Sequence, residues 1–432
     1  MPSEWLQACQ EVEPMLLLRT GSRRPSDLWR RAMRTTTTTT TTATRKTNKR
    51  TFRFVEESYD KTRARFELLD GQVLRSKAND RSFHVGAFEV LALAELRARL
   101  EATTAAAADA TAAGGGGLTF RNITGDVRAL HRDAANAGAV FQVASQFNCL
   151  EMNEPGARPE DGVTRYYNDA TQGPACAVVC QAATVFRNYF VNGAGQGHGH
   201  QVDCLADVGE LVGNSRARYW RMVNGYCLPV EAGSIAKLSK RLKEDAALTE
   251  AVRSQLQIGI HWDTEVTNKE HRVCQVFASA LPVAYAKSTR SADWEPFGRA
   301  VLESSLDATL AAAALLAAER RARVKVFLTA VGGGAFGNRS QWIIDAIQCA
   351  LRTHQSAPLD VMLVHFGTLP RSAFDVLKAV RTRAAPPAPP SAGEAEAELT
   401  EEVPSVELRK EQTTATTTAA EQIAGPSSQK WT

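Results

Sequence analysis

A glycine-rich segment at residues 331–338 carries the clearest chemical signal in this 432-residue chain. It follows a β-like run at residues 324–331 and precedes a helical pattern at residues 341–352. Glycines let a backbone approach a phosphate closely, and a helix N-terminus offers amide donors and partial positive charge to an anion. The pattern predicts a diphosphate cradle, with a ligand-free tight turn as the alternative; its members are Gly332, Gly333, Gly334, Ala335, Phe336, Gly337 and Asn338.

The glycine spacing also allows a second interpretation. Gly332, Gly334 and Gly337 match GxGxxG, the dinucleotide-binding motif of Rossmann domains. That motif opens the first βαβ unit of its fold, and an acidic residue about 20 positions later holds the ribose. Here the next strand-like run, residues 360–366, has its acid at the start, and little foldable chain follows. A nicotinamide-dependent oxidoreductase is therefore only an alternative hypothesis.

The segments around this turn alternate between strand-like and helix-like patterns. Runs such as residues 361–364 are apolar on both faces, as expected of strands inside a helix-covered sheet. The pattern predicts a three-layer α/β/α sandwich with a mixed central sheet, in which ligands bind beyond the C-terminal strand ends. The strand-like runs are residues 118–123, 139–144, 257–262, 273–278, 324–331 and 361–366, and the helix-like stretches are 175–189, 294–323 and 341–352. Helical spacing also appears late in the apolar run at residues 88–100.

Several of these segments resemble the macrodomain family. Residues 120–127 resemble the strand and Gly-Asp turn of macrodomains, and residues 327–338 resemble their second phosphate loop. Residues 141–151, 169–175 and 187–189 are similar to segments of divergent macrodomain ADP-ribosylhydrolases, including bacterial effector-type relatives, which are distantly related to poly(ADP-ribose) glycohydrolase. The fold expected from the resemblance is macrodomain-like. The paired-glutamate motif of poly(ADP-ribose) glycohydrolases is absent, so the catalytic residue stays open.

The resemblance implies binding roles for individual residues. Asp126 becomes the acceptor for the adenine amino group, and the glycine turn becomes the diphosphate cradle, with Phe336 against the ribose or the nicotinamide-side pocket. The loop that contains Thr171, Gln172 and Gly173 is expected to lie over the ligand. Capping of the following helix is the alternative explanation for that loop.

Four residues are candidates for catalysis. Glu151 is the only carboxylate of residues 145–151, the expected counterpart of the first macrodomain loop, and there it would activate water or stabilise an oxocarbenium-like centre. A solvated glutamate in a first helical turn is an equal alternative. Asn148 is a candidate for holding a ribose hydroxyl or, alternatively, a capping amide. Asp169 and Asp263 are weaker candidates, and a strand-end turn acid is the simpler interpretation of Asp263.

These observations favour an ADP-ribose-binding hydrolase that removes ADP-ribose from modified protein without a redox cofactor. A non-catalytic ADP-ribose reader is the first alternative and the oxidoreductase the second. The expected partners are ADP-ribose or ADP-ribosylated protein. A net charge of +4, from 51 basic and 47 acidic residues, indicates no specific nucleic-acid partner. His198 and His200 without a third clustered ligand make a poor metal site.

Composition divides the chain into five expected regions. Residues 1–50 form a basic, threonine-rich arm, residues 101–117 an Ala/Gly-rich flexible insertion, and residues 371–432 a mostly disordered tail. Residues 51–100 are expected to pack as an extension on a macrodomain-like core at residues 118–370.

The cysteines and the hydropathy pattern bear on location. Eight cysteines without a CxxC pair, mostly in apolar stretches, indicate buried reduced thiols and a cytoplasmic or nuclear protein. The arginine- and threonine-rich arm leaves organellar targeting open. No apolar run is expected to reach the roughly 20 residues that span a bilayer, so no membrane partner is predicted.

Overall fold

The computed structural model of the protein describes residues 51–107 and 116–368. The arm predicted for residues 1–50 and the tail predicted for residues 371–432 lie outside the described residues.

Strands and helices alternate along the described chain. The strands are β1 (Phe66–Leu69), β2 (Val73–Ser76), β3 (Ser82–His84), β4 (Ala87–Ala92), β5 (Thr119–Thr124), β6 (Val140–Ala144), β7 (Trp220–Val223), β8 (Tyr226–Pro229), β9 (Gln257–Glu265), β10 (Arg272–Ala278), β11 (Val324–Leu328) and β12 (Leu359–His365). The helices are α1 (Tyr59–Ala64), α2 (Leu93–Ala107), α3 (Val127–Arg132), α4 (Gln172–Ala177), α5 (Gln181–Tyr189), α6 (Ala206–Val212), α7 (Ser234–Glu244), α8 (Ala246–Gln255), α9 (Ser291–Arg320) and α10 (Ser340–Thr353).

A seven-stranded mixed sheet lies at the centre, in the order β4-β9-β10-β6-β11-β12-β5. The strands β10, β6, β11, β12 and β5 pair in parallel, whereas β9 is antiparallel to both of its neighbours. The parallel strands are apolar on both faces; all seven residues of β12 are buried or half-buried. All six strand-like runs predicted from the sequence form strands of this sheet.

Helices cover both faces of the sheet, as two successive residues of β6 show. The ring of Phe141 stacks on His131 of α3 at a centroid distance of 3.6 Å. The amide of the next residue, Gln142, donates to the Thr309 hydroxyl of α9 at 3.1 Å. Because successive side chains of a strand point to opposite faces, α3 and α9 lie on opposite sides of the sheet. The predicted α/β/α sandwich with a mixed central sheet is confirmed.

The longest helix, α9, is a core element. It has the length and hydropathy of a membrane span, although no such run was expected from the sequence, and 94% of its most apolar window is buried inside the protein. Helices α2, α7, α8 and α10 pack against it. Its alanine-rich turns, including Ala311–Ala314, let these neighbours approach closely.

One segment of the N-terminal half differs from the sequence interpretation. Residues 88–100 begin in strand β4, an outer strand of the sheet that pairs with β9, and continue into α2, where the helical spacing was expected late in the run. The predicted flexible insertion at residues 101–117 begins as a helix, because α2 continues to Ala107. Alanine has the highest helix propensity, and that propensity prevails over the low complexity of the segment.

The helix predicted at residues 175–189 is two helices with a break between α4 and α5. Cys180 has a non-helical ψ of 62°. Thr267, from a distant turn, donates its amide to Val179 O at 2.8 Å and accepts from the Gln181 amide at 3.0 Å. This tertiary contact replaces helical hydrogen bonds, so the break has no local sequence signal.

Candidate functional site

The loops at the C-terminal ends of the parallel strands share one edge of the sheet. Residues 125–126 follow β5, residues 145–151 follow β6, and residues 329–338 follow β11. The strand order β6-β11-β12-β5 brings these three loops side by side with the glycine turn between the other two. Neighbouring strands lie about 4.8 Å apart, so the outer two loops are about 15 Å apart.

The glycine turn is closed by its own hydrogen bonds. Gly332 and Gly337 have φ of 80° and 70°, in the left-handed region that favours glycine. The amide of Asn338 donates to Gly332 O at 2.9 Å, and its buried side chain donates to Leu281 O at 2.9 Å. A β-carbon at Gly332 would lie 2.5 Å from that of Ala280. The Asn338 side chain therefore supports the turn from behind.

The outer side of the turn offers amide donors. Gly333, Gly334 and Ala335 are exposed. Within residues 51–107 and 116–368, the amides of Gly334, Ala335 and Phe336 donate to no acceptor. Helix α10 begins directly afterwards, at Ser340. Free successive amides before a helix N-terminus are suited to an anion.

Phe336 belongs to a cluster of three aromatic rings. Its centroid lies 5.5 Å from that of Tyr226 and 5.7 Å from that of Tyr285. Its carbonyl accepts from the Ala284 amide at 2.9 Å. One side of the ring thus packs on the protein, and the half-buried remainder lies beside the turn.

Glu151 is fully buried in an ion pair with Arg187 of α5. Glu151 Oε1 lies 2.9 Å from Arg187 Nη2, and both side chains are 0% exposed. Burial raises the pKa of the Glu151 carboxyl to about 7, against the opposing charge of Arg187. The alternative interpretation of Glu151 as a solvated glutamate in a first helical turn is wrong, because the side chain is not exposed to solvent.

Residues 172–173 cover the end of β6 and Glu151. Strand β11 pairs with β6 only as far as Phe141, and the side-chain amide of Gln172 occupies the next positions. Gln172 donates to Gln142 O at 2.7 Å and accepts from the Ala144 amide at 2.8 Å. A β-carbon at Gly173 would lie 2.0 Å from Ala144 O and 3.3 Å from Glu151 Cγ. A side chain at position 173 would clash with the backbone of β6, so only glycine fits here.

Three further predicted residues shape the loops around Glu151. Asn148 is fully buried, and its side chain donates to Gln201 at 2.9 Å and accepts from the Leu150 amide at 3.1 Å. Asp169 accepts from the amide and hydroxyl of Thr171, at 2.8 and 2.6 Å, before helix α4 begins. These bonds fix loop shape.

Asp126 follows β5, the outer strand of the sheet, and caps the N-terminus of α3. Its carboxylate accepts from the Arg128 amide at 2.8 Å and from the Arg128 guanidinium at 2.7 Å. Hydrogen bonding from Arg128 holds the pKa of Asp126 below its usual value. The side chain is 34% exposed, so the carboxylate is ionised and reachable.

Asp263 lies at the opposite edge of the sheet and does not join the other candidates. Strand β9 runs antiparallel to β10, so its end pairs with the start of β10, where Asp263 contacts Arg272 at 2.8 Å. The length of β10, about 20 Å at 3.3 Å per residue, separates it from residues 145–151. The sequence pattern does not encode strand direction.

Two residues of this edge have no individual role in the sequence-based predictions. Arg187 lies within a segment of resemblance, and its one sequence signal is that it is the only charged residue of helix Gln181–Tyr189, where it requires a buried partner. Phe366 follows β12 and is 50% exposed, directly beside the Asp126 turn, because the Gly125 amide donates to His365 O at 2.9 Å. Its signal was weak, since an aromatic residue at a strand end is common.

The Rossmann and metal interpretations gain no geometric support. Strand β11 is the sixth of the seven sheet strands in chain order, and Asp360, at the start of β12, pairs with Arg323 at 2.7 Å. His198 and His200 are exposed, and the part of the chain that the structure describes contains no group of three metal-ligating side chains.

The fold is mixed α/β, and the glycine turn with its free amides lies at the C-terminal ends of the parallel strands. No family model and no curated protein matches the chain. Among solved structures it is similar to the poly(ADP-ribose) glycohydrolase of Deinococcus radiodurans in complex with ADP-ribose, with 10% identity and a TM-score of 0.38, over 69% of this chain and 96% of that one.

A second similar structure is the poly(ADP-ribose) glycohydrolase of Thermomonospora curvata bound to the inhibitor ADP-HPD. The identity is 14% and the TM-score 0.31, over 73% of this chain and 95% of that one. Similarity of this degree transfers no residue role to this chain.

Proposed function

We propose that the protein binds ADP-ribose across the C-terminal edge of the sheet and hydrolyses the bond between ADP-ribose and a modified protein. The observation that carries the proposal is the order of three loops: the Asp126 turn, the glycine turn and residues 145–151. ADP-ribose has three parts in the same order: adenine, diphosphate and distal ribose. The span of about 15 Å suits an extended nucleotide of this kind.

Each loop offers chemistry that fits its part of the ligand. The free amides of Gly334, Ala335 and Phe336 and the N-terminus of α10 suit a diphosphate. Asp126 is partly exposed, and its carboxylate would accept from an exocyclic amine in place of one of its four hydrogen bonds from Arg128. The exposed ring of Phe366 beside it presents a face to a base.

The proposal assigns the hydrolytic step to Glu151. Its ionised carboxylate takes a proton from the water whose oxygen bonds to the C1″ carbon, while the bond from C1″ to the protein breaks. The leaving group takes a proton from solvent, and Glu151 then returns its proton to solvent, which completes the cycle. A carboxyl pKa of about 7 suits this task near neutral pH. Because the Glu151 side chain is 0% exposed and Gly173 packs beside its Cγ, the distal ribose reaches the carboxylate only after the surrounding residues, including residues 172–173, move aside.

A non-catalytic ADP-ribose reader is the second candidate, and the burial of Glu151 favours it. The carboxylate is shielded from solvent, and Arg187 occupies one of its oxygens. In a reader the same ion pair would serve only to shape residues 145–151, and ligand would bind without opening residues 172–173.

Release of free ADP-ribose from an ADP-ribosylated protein, followed by mass spectrometry, separates the two candidates. The hydrolase predicts turnover by the wild type, and a fall of about 100- to 10,000-fold in Glu151→Gln with ADP-ribose affinity unchanged. Binding of ADP-ribose without any release would overturn the hydrolase and support the reader.

A further inference from the structure

The two carboxylate oxygens of Glu151 have different surroundings. Oε1 is held at 2.9 Å by Arg187 Nη2, whereas the buried Oε2 has no hydrogen-bond partner among the described residues. We propose that Arg187 is the positioning residue of this site, fixing Glu151 through Oε1 so that Oε2 is the oxygen that meets the attacking water. This inference rests on the proposed hydrolase.

The guanidinium of Arg187 is itself immobilised from several sides. Its Nε donates to Cys149 O at 2.8 Å, and its central carbon lies 3.8 Å from the ring centroid of Phe277. Its Nη1 lies 3.5 Å from Nδ1 of His261. Burial, reinforced by the charge of Arg187, lowers the pKa of His261, so the neutral imidazole does not repel the guanidinium. A planar cation held in this way has one orientation.

One guanidinium sets both the backbone and the carboxylate of the same loop. Cys149 and Glu151 are two residues apart, and Arg187 binds the carbonyl of the first and the side chain of the second. Cys149 has φ of 58°, a left-handed conformation that is costly for a residue with a β-carbon. Loss of Arg187 would release this conformation together with the carboxylate.

Arg187 is also the cation that opposes the effect of burial on Glu151. The titratable groups that face Glu151 from the elements packed around it are Arg187 of α5, Tyr166 of the 3₁₀ segment Thr164–Asn168, Cys176 of α4 and Cys180 between α4 and α5. Neither the tyrosine nor the two thiols carry positive charge. Removing the guanidinium therefore raises the pKa of Glu151, typically by about 1–3 units for an opposite charge at this distance.

Steady-state hydrolysis across the pH range tests the inference with two variants and a matched control. For the wild type we expect activity to rise with pH around the Glu151 pKa of about 7. Arg187→Met is expected to lower kcat by about 100-fold with KM unchanged, as misplacement of a catalytic group does, and to move the rise to higher pH. Arg187→Lys should have a kcat about tenfold higher than that of Arg187→Met. An ammonium keeps the positive charge but cannot bind the carbonyl and the carboxylate together as the planar guanidinium does.

The control is Arg241→Met, which removes another partly buried arginine that donates to Val212 O and Tyr219 Oη, at 2.9 and 2.7 Å. It should change stability without moving the pH profile. The inference is overturned if Arg187→Met keeps the wild-type pH profile, or if its loss of kcat matches that of Arg241→Met. Should Arg187→Met not fold, an Arg187→Lys enzyme with wild-type kcat and pH profile overturns it instead. A wild-type protein without turnover contradicts the proposed hydrolase, not the ion pair.

Discussion

The hydroxyl of Tyr189 donates to the carboxylate of Glu56 at 2.5 Å, and this contact joins the N-terminal segment to the end of helix α5. The same carboxylate accepts from the amides of Val163 and Thr164, at 3.0 and 2.8 Å. One side chain thus connects two elements that lie more than 100 residues further along the chain. Since α5 carries Arg187, the contact supports the candidate site from behind.

Glu56→Ala should lower the free energy of unfolding by about 2–4 kcal/mol, because it leaves several buried donors without an acceptor. Denaturant unfolding measures this change. The control is Glu244→Ala, which removes only an exposed pair with Lys240 and should have an effect of less than about 0.5 kcal/mol. Equal stability of the two variants would show that the Glu56 contacts contribute nothing.

Opposite charges at Ala335 should have opposite effects on ADP-ribose affinity. Ala335 is exposed on the outer side of the glycine turn, so neither substitution should disturb folding. Ala335→Asp places a negative charge beside the proposed diphosphate and should weaken binding by about tenfold or more, whereas Ala335→Lys should bind at least as tightly as the wild type. Calorimetry measures both constants. If both variants bind ADP-ribose similarly more weakly than the wild type, the larger side chain and not its charge is the cause, and the diphosphate does not lie beside Ala335.

Phe366→Ala should weaken ADP-ribose binding without affecting stability. Phe366 is 50% exposed, and stacking of a base on an aromatic ring contributes about 1–3 kcal/mol, which corresponds to about 5- to 150-fold in affinity. Leu211→Ala is a suitable control, because Leu211 is also exposed, at 40%, and lies on helix α6, which is not part of the candidate site. Wild-type affinity in Phe366→Ala would place adenine elsewhere.

Acid should destabilise the protein partly through His131. Burial lowers the pKa of this histidine from 6.5 to about 3, and its Nδ1 lies 2.8 Å from Val127 O. Because the folded pKa is depressed, the stabilisation is complete above pH 6.5 and is lost as the pH falls towards 3, by up to about 1.4 kcal/mol per pH unit. The wild type should therefore lose more stability between pH 7 and pH 5 than His131→Gln does. His261 contributes equally to the pH dependence of both proteins. If the free energy of unfolding falls equally with pH in the wild type and in His131→Gln, His131 does not contribute to acid destabilisation.

The central strands were predictable because their signal is local. A strand such as β12 is a continuous apolar run, and the glycine turn after β11 stands out by composition alone. Strand direction has no such signal. The antiparallel direction of β9, which removes Asp263 from the site, is set by pairing with β4 and β10.

The candidate site was predictable in its loops but not in its buried contacts. Glu151 and Arg187 are 36 residues apart, and local rules give equal weight to a solvated glutamate at that position. The amide of Gln172, which continues the edge of β6 where β11 diverges, likewise depends on the geometry of three separate segments. Such contacts follow from tertiary packing.

Binding of ADP-ribose at the C-terminal ends of the parallel strands is measured by calorimetric titration of the full chain, with adenosine, which lacks the diphosphate, titrated in parallel. We expect one site with a dissociation constant in the micromolar range, about −8 kcal/mol, and binding of adenosine at least about tenfold weaker. No saturable heat with ADP-ribose up to about 1 mM, or equal affinity for adenosine, would contradict it.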